Sequence, residues 1–240
     1  MDGGLHWKEV TPPQLVPFAK VSILDASHFD AQTAYAAINT LRLDDMRPHI
    51  LRTHDGGKTW TEIVNGIPDG APVDVVREDP KRKGLLFAGT EREVYVSFDD
   101  GDHWQPLQLN LPAVSVRDVT IHGDDVVIAT HGRSFWIMDD IAALRQADAR
   151  VASSPVWLYK PASAVRTAPE GFLGTPLPPE IAKAANPPDG AIVDYYLAAA
   201  AEQATLETLD SGGGLVRKYA SAGQVPAPRR PGASAAAACH

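Results

Sequence analysis

Asp55-Gly56-Gly57-Lys58-Thr59-Trp60 is the stretch that decides the fold, because versions of it stand both before and after it in the chain. Asp2-Gly3-Gly4-Leu5-His6-Trp7 precedes it, and Asp99-Asp100-Gly101-Asp102-His103-Trp104 follows it. The three tryptophans lie 53 and 44 positions apart. This period is close to the roughly 40–50 residues that one four-stranded blade of a β-propeller occupies.

Short segments rich in β-branched and aromatic residues fill the intervals between these motifs, and each is bounded by Gly, Pro or Asp. That composition is typical of β-strands. The segments form three successive sets: 34–38 and 49–53; 73–76, 85–89 and 94–97; 116–119, 126–130 and 134–138. The sequence therefore predicts an all-β fold, a partial β-propeller of about three four-stranded blades.

The residue types of the motif suit a tight turn between the two outer strands of a blade. Asp55 and Asp99 can accept hydrogen bonds from the amides of the turn. Gly57 and Gly101 tolerate a positive φ, and a large tryptophan ring can pack between strands. We therefore expect a structural role for the matching positions of all three motifs: Asp2, Gly4 and Trp7; Asp55, Gly57 and Trp60; Asp99, Gly101 and Trp104.

The pattern changes after the third set of strands. Asp139-Asp140-Ile141 stands where a further Asp-Gly motif would be expected. Residues 142–150 predict a short helix or a polar excursion, because they are rich in Ala, Arg and Asp. Pro155-Val156-Trp157-Leu158-Tyr159 predicts an outer strand that completes the last set. The propeller blades are thus expected to span residues 1–160.

The remaining residues predict a different organisation. Residues 161–188 are rich in proline and indicate a linker. Strand signals resume within 189–220, where Gly212-Gly213-Gly214 marks a turn. Residues 221–240 have a low-complexity composition rich in Pro, Ala, Gly and Arg, which predicts a disordered tail.

Charge and composition exclude several classes of function. The formal net charge is −8, and the longest basic run is Lys81-Arg82-Lys83, so we expect neither nucleic acid nor an anionic membrane as partner. Cys239 is the single cysteine, so no intramolecular disulfide or thiolate metal site can form. The eight histidines show no metal-ligand spacing, and we predict no metal or other cofactor. We find neither a membrane-spanning stretch nor a signal peptide.

Several segments resemble the sortilin-type propeller family of bacterial proteins, whose members carry BNR or Asp-box repeats and are often glycosyl hydrolase-like. The resemblance covers about residues 1–160, and Asn186-Pro187-Pro188-Asp189-Gly190-Ala191 is similar to the start of the Ig-like domain that follows the propeller in such proteins. The segments that carry the resemblance are Arg77-Glu78-Asp79-Pro80, Gly84-Leu85-Leu86-Phe87-Ala88-Gly89-Thr90, Ser97-Phe98-Asp99-Asp100-Gly101, Leu107-Gln108-Leu109-Asn110-Leu111-Pro112 and Thr130-His131-Gly132-Arg133-Ser134-Phe135-Trp136.

This resemblance implies an exported parent protein, secreted or periplasmic, that acts on or binds polysaccharide, with acid/base hydrolysis by two carboxylates as its chemistry. The alternative is a non-enzymatic scaffold that binds a protein or peptide, as the sortilin likeness implies; an assembly factor like the photosystem propellers that share the repeat is a third possibility. Closed propellers have about four to eight blades, and an Ig-like sandwich needs about seven strands. We therefore expect a C-terminal piece that lacks upstream blades, a complete sandwich and a complete active site.

The candidate site residues are few. His131-Gly132-Arg133 follows an apolar strand, where Arg133 can face the central channel and hold a carboxylate or a sugar hydroxyl; alternatively it pairs with an acid of the neighbouring blade. His131 and Arg133 are thus possible ligand contacts, and the catalytic residues are unknown. Trp136 or Trp157 can stack on a sugar ring. Asp-Asp pairs could supply an acid and a base, but adjacent strand residues point to opposite faces, and all four pairs fall at predicted turns: 44–45, 99–100, 124–125 and 139–140.

Overall fold

A computed structural model of the chain describes residues 4–107, 109–164 and 190–221. These residues divide between two compact units, 1–145 and 146–240, which we call unit 1 and unit 2. Asp2, Cys239, almost all of the predicted linker and the predicted tail beyond residue 221 lie outside the described residues.

Unit 1 begins with a four-stranded antiparallel sheet, sheet 1, in which each strand pairs with the next one along the chain. A short 3-10 helix, Leu41–Leu43, lies in the connection between its second and third strands. The strands of sheet 1 are β1 (Lys20–Ala26), β2 (Ala34–Asn39), β3 (Ile50–Thr53) and β4 (Thr61–Glu62).

The same meander is repeated twice more in unit 1. Sheet 2 consists of β5 (Val73–Glu78), β6 (Leu86–Thr90), β7 (Val94–Ser97) and β8 (Gln105–Pro106), and sheet 3 of β9 (Val116–His122), β10 (Asp125–Thr130) and β11 (Phe135–Met138). Successive small antiparallel meanders are the blades of a propeller. The prediction of an all-β, partial β-propeller is confirmed, and every strand predicted between residues 34 and 138 is present.

A shared irregularity shows that the three sheets are copies of one design. The register between the first and second strands shifts by one residue near the start of each first strand, at Ser22, Asp74 and Arg117. A bulge of this kind bends the strand and increases its twist. Because it recurs in all three sheets, residues of different sheets can be matched by counting from it.

Sheet 2 is buried on both faces. Its Val73, Leu86 and Tyr95 belong to an apolar cluster shared with Ile50 of sheet 1. On the other face, Phe87, Val94 and Val96 join Val116, Val119 and Val126 of sheet 3 in a second cluster. This explains why the strands of sheet 2 are nearly continuous runs of apolar residues instead of alternating ones. At about 25 cal/mol per Å² of apolar surface, the two clusters are the main source of stability in unit 1.

Unit 2 contains the helix α2 (Ala149–Ser153) and two strand pairs, and the short helix α1 (Ala142–Gln146) crosses the boundary between the units. The Asp148 carboxylate caps α2 by accepting bonds from the amides of Arg150 and Val151. A short helix was one of the two alternatives predicted for residues 142–150. The paired strands are β12 (Val156–Leu158) with β13 (Tyr195–Leu197), and β14 (Thr205–Leu209) with β15 (Leu215–Ala220).

One strand prediction is wrong. The segment 155–159 does form a strand, β12, but it pairs with β13 and does not complete sheet 3. Its partner lies about forty positions further on, and such long-range pairing leaves no trace in local composition. Sheet 3 therefore has three strands among the residues that the structure describes. The predicted turn at Gly212-Gly213-Gly214 is confirmed as the hairpin between β14 and β15.

Candidate functional site

The sheets of unit 1 have two distinct ends, since their strands alternate in direction. One end carries the starts of β1, β5 and β9 and the connections that follow β2, β6 and β10; we call it the Arg117 end. The other carries the turns that follow β3 and β7, which contain the Asp-Gly motifs; we call it the Asp-Gly end. The motifs around Asp55 and Asp99 and the predicted ligand contacts thus lie at opposite ends of the sheets.

The first complete Asp-Gly turn is held by the Asp55 carboxylate. Its Oδ1 accepts a bond of 2.9 Å from the Thr59 amide, and its Oδ2 accepts one of 2.7 Å from the Thr59 hydroxyl. The Thr53 hydroxyl donates to Asp55 Oδ1 and accepts from the Gly57 amide at 2.9 Å. These bonds, led by that from the Thr59 amide, lower the pKa of Asp55 to about 2.

The second turn repeats this geometry with different residues. Asp99 Oδ1 accepts a bond of 2.9 Å from the His103 amide, and Oδ2 lies 2.7 Å from His103 Nδ1. The Ser97 hydroxyl donates to Asp99 and accepts from the Gly101 amide at 2.9 Å. Burial raises the pKa of Asp99, but the bonds from His103 and Ser97 outweigh it and leave the pKa below its usual value. In both turns the carboxylate bonds mainly to its own turn.

The tryptophans connect each turn to the preceding part of the chain. The indole of Trp104 is 5% exposed and donates to the Ile63 carbonyl at 2.8 Å. Trp60 is half-buried and donates in the same way to the Val10 carbonyl at 2.9 Å. Trp7 differs, since it is 90% exposed and donates to Gly4 within its own motif. Two of the three tryptophans, Trp60 and Trp104, therefore have like surroundings.

A polar cluster lies at the Arg117 end. The Arg117 guanidinium is 3.0 Å from Asp74 Oδ2 and 2.8 Å from Glu91 Oε1, and the Asn39 amide donates to Asp74 Oδ1 at 2.8 Å. These four residues come from all three sheets, and Asp74 and Arg117 occupy the equivalent bulge positions of β5 and β9. The stacking of the sheets therefore brings together side chains that are far apart in sequence.

The electrostatics of this cluster are unusual. Asp74 is only 4% exposed, and this burial raises the pKa of its carboxyl above the usual value. The Arg117 guanidinium opposes the rise, and the neighbouring Glu91 carboxylate adds to it. Burial thus disfavours the charged form of Asp74, although the carboxylate lies against a guanidinium. Part of the Arg117 side chain stays in contact with solvent.

The turn with His131 and Arg133 lies beside this cluster along the chain. The His131 amide donates to the Ser115 carbonyl at 2.9 Å, which places the turn next to the start of β9. Gly132 adopts a φ of +85°, as a tight turn requires, and the Trp136 indole donates to the Arg133 carbonyl. The side chains of His131 and Arg133 are exposed, and Arg133 forms no ion pair with any residue that the structure describes. Whether either contacts a ligand stays a prediction.

The Asp-Asp pairs bind parts of the protein itself. Asp45 is bonded by Arg47, and Asp124 by Lys81 and Arg145. Asp100 links the sheets, because it accepts a bond from the Tyr35 hydroxyl and lies 2.9 Å from His54 Nε2. Three pairs lie in turns or connections, whereas the fourth ends inside a strand, since residue 125 is the first of β10.

A small cleft of about 190 Å³ lies on the outer side of sheet 1. His49 lines it, with Nδ1 2.7 Å from Glu62 Oε1 and Nε2 3.5 Å from Asp45 Oδ2. Asp45 of the 44–45 pair also lines this cleft, whereas His131, Arg133 and the motif positions with an expected structural role do not. Across the described ranges, no group of three or more His, Cys, Asp or Glu side chains is arranged to hold a metal ion. No helix within those ranges has the length and apolar character needed to cross a membrane.

Sequence reasoning missed two groups of residues. The hydroxyls of Thr53 and Ser97 complete the two turns, and their common position two residues before each aspartate was the signal that could have revealed them. Asp74, Glu91 and Arg117 carried no local signal, because their association depends on how neighbouring sheets stack.

No protein-family model matches the chain. A stretch of 76 residues is 32% identical to vacuolar protein sorting/targeting protein 10 of Pyrenophora teres f. teres (strain 0-1), and it covers 32% of this chain and 5% of that protein. The GH74 enzyme of Niastella koreensis aligns over 50% of this chain and 21% of its own, with TM-score 0.40 and 18% identity. YCF48 bound to D1 peptide aligns over 57% and 42%, with TM-score 0.40 and 20% identity.

The chain thus spans about a twentieth of the sorting protein and less than half of either structure. The class of the protein follows from its own sheets. Unit 1 is part of a β-propeller, with a polar cluster at the Arg117 end and Asp-bonded turns at the other.

Proposed function

We propose that unit 1 contributes three blades to a propeller that binds carbohydrate at the Arg117 end. The observation that supports this is the cluster of Asn39, Asp74, Glu91 and Arg117 at the starts of β5 and β9, beside the exposed turn with Arg133. Ligand sites commonly use a few fixed polar groups supported by a rigid scaffold. Three stacked sheets provide that scaffold here.

The chemistry of these side chains suits sugar hydroxyls. A hydroxyl both donates and accepts, so it is bound well by planar groups that offer donors and acceptors side by side. Arg133 supplies donors in a fork, and the Glu91 carboxylate, which Arg117 holds in place, supplies acceptors. Because Arg117 holds both carboxylates, their orientation is fixed before a ligand arrives, which lowers the entropic cost of binding.

The same geometry argues for binding without hydrolysis by this chain. A glycosidase needs an acid and a second carboxylate placed on either side of the scissile bond. Asp74 and Glu91 instead contact the same guanidinium, and Asp74 is buried. Hydrolysis by the whole protein would require carboxylates supplied by further blades. Purified chain is expected to release no reducing sugar from soluble β-glucans.

Glycan binding by the full 240-residue chain tests the proposal. Affinity electrophoresis and calorimetry with a panel of soluble neutral polysaccharides are expected to show binding that Arg133→Ala weakens about tenfold, the equivalent of roughly 1.4 kcal/mol for a lost charge-assisted contact. Lys58→Ala, an exposed cation at the Asp-Gly end, is the matched control and should leave binding unchanged. Absence of binding to every glycan, or equal effects of both variants, would overturn the proposal.

A second candidate is a non-enzymatic scaffold that binds a peptide at the same end. The observation in its favour is the exposed Arg133 cation, which has no ion-pair partner within the described residues and can accept a peptide carboxylate. The relative that is 32% identical over 76 residues is named for sorting and targeting of proteins, which also favours this alternative. Acidic peptides should then bind with an affinity that falls steeply with salt, whereas binding of a neutral glycan should be nearly insensitive to salt.

A further inference from the structure

The feature that carries this inference is the exposed side chain of Arg92, in the connection between β6 and β7. Its backbone is fixed, because the Arg92 carbonyl accepts a bond of 2.9 Å from the Val114 amide, and the Arg92 amide donates to the Thr90 hydroxyl at 3.2 Å. Its guanidinium lies over Gly70, where an added Cβ would be 3.2 Å from Nη2. Arg92 forms no ion pair with any residue that the structure describes. It is thus an anchored arginine whose charge is not used within the described chain.

The exposure of Arg92 does not depend on further blades. Arg92 belongs to sheet 2, and the sheets that pack on its two faces, sheet 1 and sheet 3, are both part of unit 1. Further blades would be added beside sheets 1 and 3, at least one sheet away from Arg92. An arginine that stays exposed between two packed neighbours is available to a partner outside the chain.

A second exposed arginine, Arg133, lies on the neighbouring sheet in an equivalent connection. The amides of Glu91 and His131 donate to the carbonyls of Pro72 and Ser115, respectively. These two acceptors directly precede β5 and β9, the first strands of sheets 2 and 3. The connection between β6 and β7 therefore corresponds to the connection between β10 and β11.

The two connections are also bonded to one segment of the chain. The Arg92 carbonyl accepts from the Val114 amide, and the carbonyl of the next residue, Ser115, accepts from the His131 amide. Arg92 and Arg133 thus lie on neighbouring connections that the same two residues hold together.

The acidic side chains nearby do not neutralise these two cations. Glu91 lies 2.8 Å from the Arg117 guanidinium, and Glu93 accepts a bond of 2.6 Å from the Tyr95 hydroxyl. Both glutamates are half-buried, and Asp74 is 4% exposed. The accessible charge on the connections of sheets 2 and 3 is therefore positive, although the net charge of the chain is −8. Exposed charges more than about 8 Å apart are largely screened at physiological salt, so the local charge decides which ligand binds.

Sheet 1 contributes less to this positive surface. Its connection between β2 and β3 carries Arg42, which is exposed and has no ion-pair partner in the described ranges. Asp44, which is also exposed, follows two residues later and offsets that charge. An anionic ligand is therefore expected to depend mainly on Arg92 and Arg133.

The residue types of this surface select the chemistry of the ligand. A guanidinium presents a planar fork of donors that matches a carboxylate in two parallel bonds. The connections that follow β2, β6 and β10 contain no Trp, Tyr or Phe, so a sugar ring has no aromatic face to stack on there. Two cations on neighbouring sheets can bind two carboxylates of one molecule, which a polymer with a carboxylate on every unit provides.

We infer that the polysaccharide bound at the Arg117 end is a polyuronate, whose carboxylates are bound by Arg92 and Arg133. The inference rests on the proposed function, to which it adds the charge of the ligand and a second arginine. An acidic peptide also offers carboxylates, but the Glu91 carboxylate beside Arg92 would repel them. A uronate carries hydroxyls next to its carboxylate, and these can donate to Glu91. The arrangement of cations and acceptor therefore favours an acidic glycan.

Calorimetry on the full chain with polygalacturonate and with its fully methyl-esterified form tests the inference, because the two polymers share every sugar ring and differ in charge. The acid form is expected to bind at least about tenfold more tightly, and its affinity should fall as NaCl is raised. Arg92→Gln should weaken binding of the acid form about tenfold and change binding of the ester less than about twofold. Arg92→Lys should recover part of the loss, since it restores the charge without the fork. Lys58→Gln, which removes an exposed cation at the Asp-Gly end, is the matched control and should change neither affinity.

The outcomes separate this inference from the proposed function. Equal affinity for the two polymers, or equal effects of Arg92→Gln and Lys58→Gln, would overturn the inference and leave the proposed function intact. Absence of binding to both polymers and to the neutral panel would overturn both. Poly-glutamate is the probe for an acidic peptide: if it binds as tightly as polygalacturonate, with the same loss in Arg92→Gln, the inference is overturned in favour of a peptide partner. Circular dichroism should show the same fold for every variant, because each changes an exposed side chain.

Discussion

Arg77 of the second sheet reaches Asp25 of the first, with 3.2 Å between its Nη1 and the carboxylate Oδ1. The same guanidinium lies 3.2 Å from Asp118 and donates to the Val119 carbonyl, so one side chain bonds residues of the first strands of both neighbouring sheets. The other Asp25 oxygen accepts from the Glu78 amide at 2.9 Å. Arg77 thereby fixes the alignment of β1, β5 and β9.

Arg77→Ala should lower the free energy of unfolding by about 2–3 kcal/mol, because it leaves the largely buried Asp25 carboxylate without its cation. Arg77→Lys should recover only part of this, since an ammonium cannot reproduce a guanidinium fork. Urea denaturation measures both effects. Arg47→Ala, which removes an exposed pair with Asp45, should cost less than about 1 kcal/mol. Equal losses for Arg77→Ala and Arg47→Ala would contradict this role.

Gly101→Ala should destabilise the protein more than Gly132→Ala. Both glycines have a strongly positive φ, +90° and +85°, so the backbone strain of a side chain is similar. A Cβ at Gly101 would lie 2.4 Å from Ile63, whereas nothing lies within 4 Å of one at Gly132. We expect about 1 kcal/mol for Gly132→Ala and at least about 2–3 kcal/mol for Gly101→Ala, by thermal or urea unfolding. Similar values for the two would show that the close approach to Ile63 is relieved without cost.

Residue types alone were enough to predict the strands of sheets 2 and 3, because Val, Ile and Phe dominate them between turn residues. They were not enough for β4 and β8, which have two residues each and therefore no periodicity. β1 was not predicted, because no repeat motif lies at the expected spacing from it. The pairing partner of a strand could not be predicted from local composition either, because β12 pairs with a strand about forty residues away.

The contacts of the candidate site also differ in whether the sequence could predict them. The Asp55 and Asp99 turns are local, with every carboxylate bond spanning four residues or fewer, so residue types predict them. The contact between Asp74 and Arg117 joins residues 43 positions apart and exists only because neighbouring sheets stack. Sequence patterns describe one blade well, and contacts between blades poorly.

Asp55→Asn should flatten the acid side of the stability profile. The pKa of Asp55 is lowered from 3.8 to about 2 in the folded chain, so its contribution to stability is complete above the unfolded value. That contribution is lost as the pH falls from about 4 to 2. Melting temperatures at pH 2.5 and pH 5 are therefore expected to differ less in the variant than in the native chain. Between pH 5 and 7 the two profiles should run parallel, and an unchanged acid slope would argue against the turn bonds.

Trp104→Phe and Trp7→Phe compare the same motif position in two environments. Trp104 is buried between sheets 1 and 2, and its indole bond to the Ile63 carbonyl spans 41 residues. Its replacement removes that bond and part of a packed ring, so we expect a loss of about 2–3 kcal/mol in the free energy of unfolding. Trp7 is exposed and, within the described part of the chain, donates only to Gly4, so its replacement should cost less than about 0.5 kcal/mol. Acrylamide quenching gives an independent check: Trp7→Phe should remove an accessible component of the fluorescence, and Trp104→Phe a protected one. A large loss of stability in Trp7→Phe would show that its ring is covered in solution and would contradict this comparison.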